Sequence, residues 1–422
     1  MGVTLGRLME KFLHYQCSIG GETYINREAT YLCPQHGAVL DVVLDWENIG
    51  KKTSPGQIQE SREESMWRYL PLLPVGEPGG EGTPLRSAGW TPVYKSDSLA
   101  KEIGLSKLWI KDESGNPSAS FKDRASALLV ARAAEINAEV IVTASTGNAG
   151  AALAGMAAAV GAKAVIFAPK TAPPAKIAQL LIFGAQVFLV DGNYDDAVAL
   201  SQEAAEEFGW YCRNTGYNPY TAEGKKTASF EIWEQVLTKE NLEKPLCVFV
   251  SVGDGNIISG LHKGFRDLVA LGWIERSPRI FGVQAEGSAA IANAFNAQNE
   301  EIKAVSADTL ADSISVDMPS DGLRAIRAAT QSDGAYVKVS DSQILQAIPA
   351  LGKIGIFAEP AGATAFAGVV EALELGLITK DDPVLALNSG SGLKDVAAAQ
   401  KAAGEARVIK PTLSALKEIL GG

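Results

Sequence analysis

The chain has 422 residues, 46% of them hydrophobic and 21% charged, and a formal net charge of −11. That length exceeds one simple core, and the composition is neither fibrous nor disordered. The acidic balance argues against nucleic acid and anionic membrane as partners, and no apolar run approaches the ~20 residues of a membrane span.

Residues 1–16 carry Arg7, Glu10 and Lys11 among their apolar positions and lack a signal-peptide pattern. A cytoplasmic protein is expected, with Cys17, Cys33, Cys212 and Cys247 as reduced thiols. Residues 1–46 form a first unit. Between 12 and 46, short β-prone stretches (Glu22–Ile25, Val39–Leu44) surround Cys17, Cys33 and His36, in the outline of a zinc ribbon. Its knuckles read Cys17-Ser18-Ile19-Gly20 and Cys33-Pro34-Gln35-His36. They supply three ligands, and His14 is a poor fourth. Structural zinc takes four protein ligands, so a degenerate ribbon without metal is expected. Residues 47–80, polar and rich in Pro, Gly and Glu, read as a linker and an exposed segment.

A β/α rhythm begins near residue 100. Strands are expected at Lys107–Lys111, Glu139–Ala144, Ala164–Ala168, Gln186–Val190, Leu246–Val252, Arg279–Ala285 and Val384–Leu387. Helices are expected at Ser126–Glu135, Ala149–Val160 and Ala175–Phe183. Apolar strands alternating with helices imply parallel sheet covered on both faces. The fold class is α/β, with two open doubly wound subdomains sharing a cleft. Residues 47–422 form the main region, and a smaller subdomain of roughly 112–240 is inserted in the larger one.

Four loops follow such strands. The first, Asp112 to Arg124, holds Ser120-Phe121-Lys122, where a desolvated lysine has the chemistry that imine formation requires. The second, Ser145-Thr146-Gly147-Asn148, opens a helix whose N–H groups favour an anion. The third, Gly253-Asp254-Gly255-Asn256-Ile257, is a glycine-rich phosphate cradle with neither dinucleotide nor Walker spacing. An aspartate is unusual beside a dianion, so Asp254 must turn away or cap a helix N–H. The fourth, Asn388-Ser389-Gly390-Ser391-Gly392, offers the Ser389 hydroxyl at a strand end.

In this order, and with Gly82-Thr83-Pro84-Leu85, Asn218-Pro219-Tyr220, Glu223-Gly224-Lys225-Lys226-Thr227, Glu359-Pro360 and Gly392-Leu393-Lys394-Asp395, these motifs resemble the fold-type-II pyridoxal 5'-phosphate enzymes. The threonine synthases among them are most similar. The resemblance implies that Lys122 is the catalytic Schiff-base lysine. It further implies that Asn148 bonds the cofactor's 3′-oxygen, that Gly253, Asp254, Gly255, Asn256 and Ile257 hold its phosphate, and that Ser389 faces its ring nitrogen. Ser145, Thr146, Asn214 and Thr215 would meet the amino-acid substrate. The implied reaction converts O-phosphohomoserine and water to threonine and phosphate through an aldimine on Lys122, in a homodimer.

This chain departs from the family pattern in places. Thr221 stands where threonine synthases carry an arginine for the substrate phosphate, Ala149 replaces a threonine, and Asp317 falls in a stretch that is usually cationic. Lys225, Lys226 and Arg124 are the compensating cations the sequence offers. The alternative is β-replacement or β-elimination on phosphoserine, serine or threonine, as in cysteate synthases or dehydratases. A non-catalytic member of the fold would not need Lys122. A Ser-His-Asp hydrolase lacks its Gly-x-Ser-x-Gly elbow.

Overall fold

A computed structural model describes residues 11–25 and 28–420. Most of the leading stretch read as free of a signal peptide lies outside them. Among the described residues, no helix is long and apolar enough to cross a membrane.

Strands β1 (Phe12–Cys17), β2 (Thr23–Tyr24) and β3 (Leu40–Leu44) form an antiparallel sheet in the order β2-β1-β3. Leu40, Val42 and Leu44 alternate into the core, as the period-2 rule requires. With Tyr15 and Cys17 they join the same apolar cluster as the body of the protein. The ribbon is therefore docked rather than free-standing.

The reading of 47–80 as linker and exposed segment is corrected by the structure. Short helices occupy Trp46–Lys52 and Pro55–Gln59, each capped by the side chain before it, Asp45 and Ser54. Met66, Trp67, Tyr69, Leu72, Leu73 and Val75 are buried in the main core. Local Pro and Glu content hid a segment whose aromatic and aliphatic residues pay for ordering it by burial.

The larger sheet contains β4 (Val93–Lys95), β5 (Lys107–Asp112), β10 (Cys247–Ser251), β11 (Arg279–Ala285), β12 (Ala335–Val339) and β13 (Pro383–Asn388). Its order is β12-β11-β10-β13-β5-β4, parallel except where β4 meets β5. Strands β6 (Val140–Ala144), β7 (Lys163–Pro169), β8 (Gln186–Val190) and β9 (Tyr211–Cys212) form a parallel sheet, ordered β8-β7-β6-β9, from the stretch between β5 and β10. β10 and β13 are buried along their whole length, which is why they read as continuous apolar runs.

Three helices cross between the sheets almost backbone to backbone. A Cβ on Gly224 would lie 2.3 Å from the carbonyl oxygen of Arg124, and one on Gly264 would lie 2.5 Å from that of Lys226. The helices Lys122–Glu135, Tyr220–Lys225 and Asn256–Ala270 meet there because two side chains are missing.

Candidate active site

A cleft of about 1110 Å3 lies at the carboxyl ends of both sheets. This is where open α/β sheets bind ligands. Lys122 is half-buried on its wall, at the start of the helix that follows β5. Phe121 beside it is fully buried, and its N–H donates to the Ser389 carbonyl at 2.9 Å. That bond fixes the lysine loop against the loop after β13. Burial holds the Lys122 amine below its ordinary range, with Asp254 and Glu359 opposing.

The loop after β6 faces it. Ser145 and Asn148 are buried, Thr146 half-buried, and all line the cleft with Ala149. The Ser145 Oγ accepts from the Gly147 N–H at 3.3 Å, a local turn within the loop. Asn214 also lines the cleft, but its polar atoms are engaged inward. Its Oδ1 accepts from Thr143 Oγ1 and the Ala144 N–H, both at 2.9 Å, and its Nδ2 donates to Ser201 Oγ at 2.8 Å. Asn214 thus braces the end of β6, from which the Ser145–Asn148 loop leaves.

On the opposite wall, Gly253, Asp254, Gly255 and Ile257 lead into the fifteen-residue helix Asn256–Ala270. Gly255 has φ +93°, and a Cβ there would lie 2.7 Å from the Asp321 carbonyl. The Asp254 Oδ1 accepts from the Asn256 N–H at 3.0 Å, the helix-capping role its position demanded. Asn256 Nδ2 donates to Asp321 Oδ2 at 2.7 Å.

Ser389 is buried at the cleft floor, 3.5 Å from Glu359 Oε1. Glu359 was passed over as a site residue. Asn148 Nδ2 donates to both its carboxylate oxygens at 3.0 Å, and burial raises its pKa while Asn148 and Lys122 pull it back. The Glu-Pro motif was visible in sequence, but the partner across the cleft was not.

The compensating cations sort clearly. Arg124 is wholly buried and bonds Glu113 through Nε at 2.7 Å and Nη2 at 2.8 Å, with Glu231 on its other side. Lys111 joins Glu231 at 2.6 Å. Lys226 is paired with Glu223 at 2.6 Å and Asp267 at 2.8 Å. Neither Arg124 nor Lys226 is available to a ligand. Lys225 is buried with no ion pair among the described residues, and burial lowers its amine to about 7. Thr221 is fully buried, with its hydroxyl on the Asn218 carbonyl at 2.8 Å, away from the cleft lining.

Arg213, directly after β9, is a cation that lines the cleft, as Lys122 and Arg324 also do. Its Nε donates to Ser126 Oγ at 3.3 Å and its Nη1 to Thr215 Oγ1 at 2.8 Å. Its Nη2 is buried without a hydrogen-bond partner. Burial lowers its pKa to about 10, against the pull of Asp254. The sequence signal was adjacency to Asn214 and Thr215, both already singled out.

These features fit a phosphorylated aromatic aldehyde. A lysine whose pKa burial lowers shares the cleft with a glycine-walled helix start that a Cβ would obstruct. Ser251 Oγ and Asn256 Oδ1 beside that loop are buried polar atoms without partners.

The pyridoxal-phosphate dependent enzyme family matches residues 85–390. The threonine synthase of Methanocaldococcus jannaschii is 36% identical over 408 residues, covering 96% of this chain and 98% of that protein. The threonine synthase of Methanosarcina acetivorans is 34% identical over 413 residues, covering 97% and 99%. Maize serine racemase superposes with a TM-score of 0.63 at 25% identity, over 74% of this chain and 91% of that one. The processed form of threonine deaminase isoform 2 from Solanum lycopersicum gives 0.62 at 24%, over 74% and 87%.

The chain belongs to the pyridoxal-phosphate-dependent enzymes and has the α/β architecture of their fold-type-II members. It is a lyase that uses this cofactor. Within the class it is threonine-synthase-like along almost its whole length.

Proposed function

We propose that the enzyme converts O-phosphohomoserine and water to threonine and phosphate, with Lys122 as the lysine that carries the cofactor and moves the Cα proton. The bound cofactor supplies the electron sink that makes the Cα proton acidic. Burial supports the role of Lys122, because desolvation lowers the amine's pKa and favours its neutral form over that of an exposed lysine. Gly253 to Ile257 hold the cofactor phosphate at a helix start, with Asn148 and Ser389 at the ring. Ser145 and Thr146 receive the substrate carboxylate, and Thr215 orients Arg213 behind them.

The observation that carries the substrate reading is Arg213. Its Nη2 is buried and lacks a hydrogen-bond partner, on a residue that lines the cleft. A guanidinium there replaces the cation missing at Thr221 and matches a phosphate dianion in charge and fork geometry. A proton leaves Cβ as that phosphate is expelled from Cγ, a proton is delivered to Cγ, water adds its hydroxyl at Cβ, and a proton returns to Cα, with Lys122 the proposed carrier of the Cα proton. The relatives that align end to end support the same substrate.

A substrate panel tests this reading: O-phosphohomoserine, O-phosphoserine, serine and threonine, with phosphate, keto acid and threonine assayed together. Threonine and phosphate should form in equal amounts from O-phosphohomoserine. Keto acid from serine or threonine, with no turnover of O-phosphohomoserine, would sink it in favour of β-elimination. A homodimer and a cytoplasmic location belong to the same reading, and light scattering and cell fractionation check them.

A further inference from the structure

The ribbon contains an arrangement that the cysteine spacing did not reveal. Cys17 at the end of β1, Glu22 in the turn before β2, and Cys33 and His36 in the second loop each offer one ligand atom, all within 4.8 Å of one another. His14, the weak fourth candidate from the sequence, is not among them; Glu22 is. A count of three ligands underlay the expectation of no metal, and the structure supplies the fourth.

Three acceptors converge on one nitrogen. His36 Nδ1 lies 3.6 Å from Cys17 Sγ, 3.5 Å from Cys33 Sγ and 3.3 Å from Glu22 Oε2. A ring nitrogen carries at most one proton, so it satisfies one of the three. Glu22 Oε2 is in fact buried with no hydrogen-bond partner. A tetrahedral zinc ion with ordinary Zn–S and Zn–N bonds would hold its ligand atoms roughly 3.3–3.8 Å apart. The observed separations from Nδ1 all fall in that range. The surroundings are also those of a metal knuckle. The Ile19 N–H points to Cys17 Sγ at 3.4 Å, and Tyr24 Oη lies 3.2 Å from Cys33 Sγ. The Glu22 carboxylate closes over Gly20, where a Cβ would lie 2.2 Å from Oε1.

We infer that Cys17, Glu22, Cys33 and His36 form a structural zinc site that closes the ribbon. Two thiolates and a carboxylate with a neutral imidazole give a soft, anionic set suited to Zn2+ rather than to Mg2+ or Ca2+. Four protein ligands leave no open position, so the ion is structural and not catalytic. Its role is to hold one wall of the cleft, because Ser18, Ile19, Leu32, Gly37, Ala38 and Val39 line that cavity.

The test uses full-length protein expressed with zinc supplied and dialysed without chelator. Elemental analysis should find about one zinc per chain. Glu22→Gln and His36→Ala change partly exposed side chains and should leave the fold intact by circular dichroism. Each should lower zinc affinity at least tenfold in a chelator competition. Cobalt substituted for zinc in the wild type should show thiolate-to-metal charge-transfer bands and the intense visible bands of a tetrahedral ion. Wild-type protein with substoichiometric zinc that takes up no cobalt would overturn the proposal. So would stoichiometric zinc held equally well by both variants, or a cobalt spectrum without thiolate bands.

Discussion

Asp41 of the ribbon and Asp321 beside the Gly253–Ile257 loop share one guanidinium. Arg324 bonds Asp41 Oδ1 at 2.6 Å through Nη1, and both Asp321 oxygens at 2.6 Å through Nε and Nη2. Asp321 in turn accepts from Asn256 Nδ2 at 2.7 Å, so a continuous run of charge-assisted bonds links β3 to the first residue of the helix Asn256–Ala270. Arg324 is nearly buried. Truncating it leaves two carboxylates facing each other, and Arg324→Ala should cost ~3–5 kcal/mol of stability. It should also weaken pyridoxal phosphate binding measurably. Denaturant unfolding and cofactor titration check the two effects, and unchanged cofactor affinity would detach the ribbon from the site.

Lys122→Ala should fold and lose turnover. A half-buried cleft lysine contributes little packing, whereas it is the assigned carrier of the cofactor. Borohydride reduction of the wild-type holoenzyme followed by peptide mapping should find the cofactor on Lys122. An adduct on Lys225, also buried and also of lowered pKa, would move the assignment.

Arg213→Met should raise KM for O-phosphohomoserine by about tenfold to a hundredfold, the loss of a charge-assisted bond of ~1.5–3 kcal/mol. Inhibition by inorganic phosphate should weaken in parallel, while binding of unphosphorylated homoserine changes little. Equal losses for both ligands would show a structural role only. Thr221→Arg, the substitution that restores the family pattern, should instead destabilise the protein. The buried hydroxyl there is bonded to Asn218, and a larger side chain has no cleft to enter.

Lys225 sets a pH dependence in the cofactor-free protein. Burial holds its amine at about 7 when folded, against an ordinary value of 10.5. Between those values the unfolded chain keeps the proton and the folded chain does not. Stability should therefore rise with pH across this window, by up to ~1.4 kcal/mol per unit, and level off below it. Urea unfolding between about pH 7 and 9 should show the slope, and Lys225→Met should flatten it. An unchanged slope would mean that another group titrates.

Glu231 has the same sign but acts at the acid end. Burial raises its pKa, but Arg124 and Lys111 outweigh this and hold it near 2. Its contribution is complete above the ordinary carboxyl value of 4.5 and is lost as pH falls towards 2. Glu231→Gln leaves Arg124 and Lys111 short of one negative charge and should cost ~3–5 kcal/mol. Acid unfolding should then begin at a higher pH than in the wild type.

Much of this was legible in the chain. Gln186–Val190 and Arg279–Ala285 coincide with the observed strands, because both are β-prone runs between turn residues, although only the second is buried and the first lies at the edge of its sheet. The motif loops fell at strand ends for the same reason. β12 was missed: it is an outer strand of the sheet, and exposed Lys338 breaks its apolar run. Glu22 and Arg213 were missed for a different reason. A carboxylate in a metal knuckle has no fixed spacing, and an arginine beside an asparagine looks like any surface arginine until the fold removes its water. The segment around Trp67 was misjudged because its Pro and Glu neighbours dominate the composition while its apolar residues do the packing.

The bare crossings at Gly224 and Gly264 leave no compliant layer between the helix that begins with Lys122 and the one that begins at Asn256. Most helix pairs meet through side chains, which can re-rotamerise to absorb a misfit. Here carbonyl rests against α-carbon, so displacement of one helix is passed to the next undamped. The starts of these two helices are thus registered by backbone stops, Gly224 against Arg124 and Gly264 against Lys226. A single methyl group at Gly224 should detune the chemistry through misalignment alone, although it touches neither cofactor nor substrate.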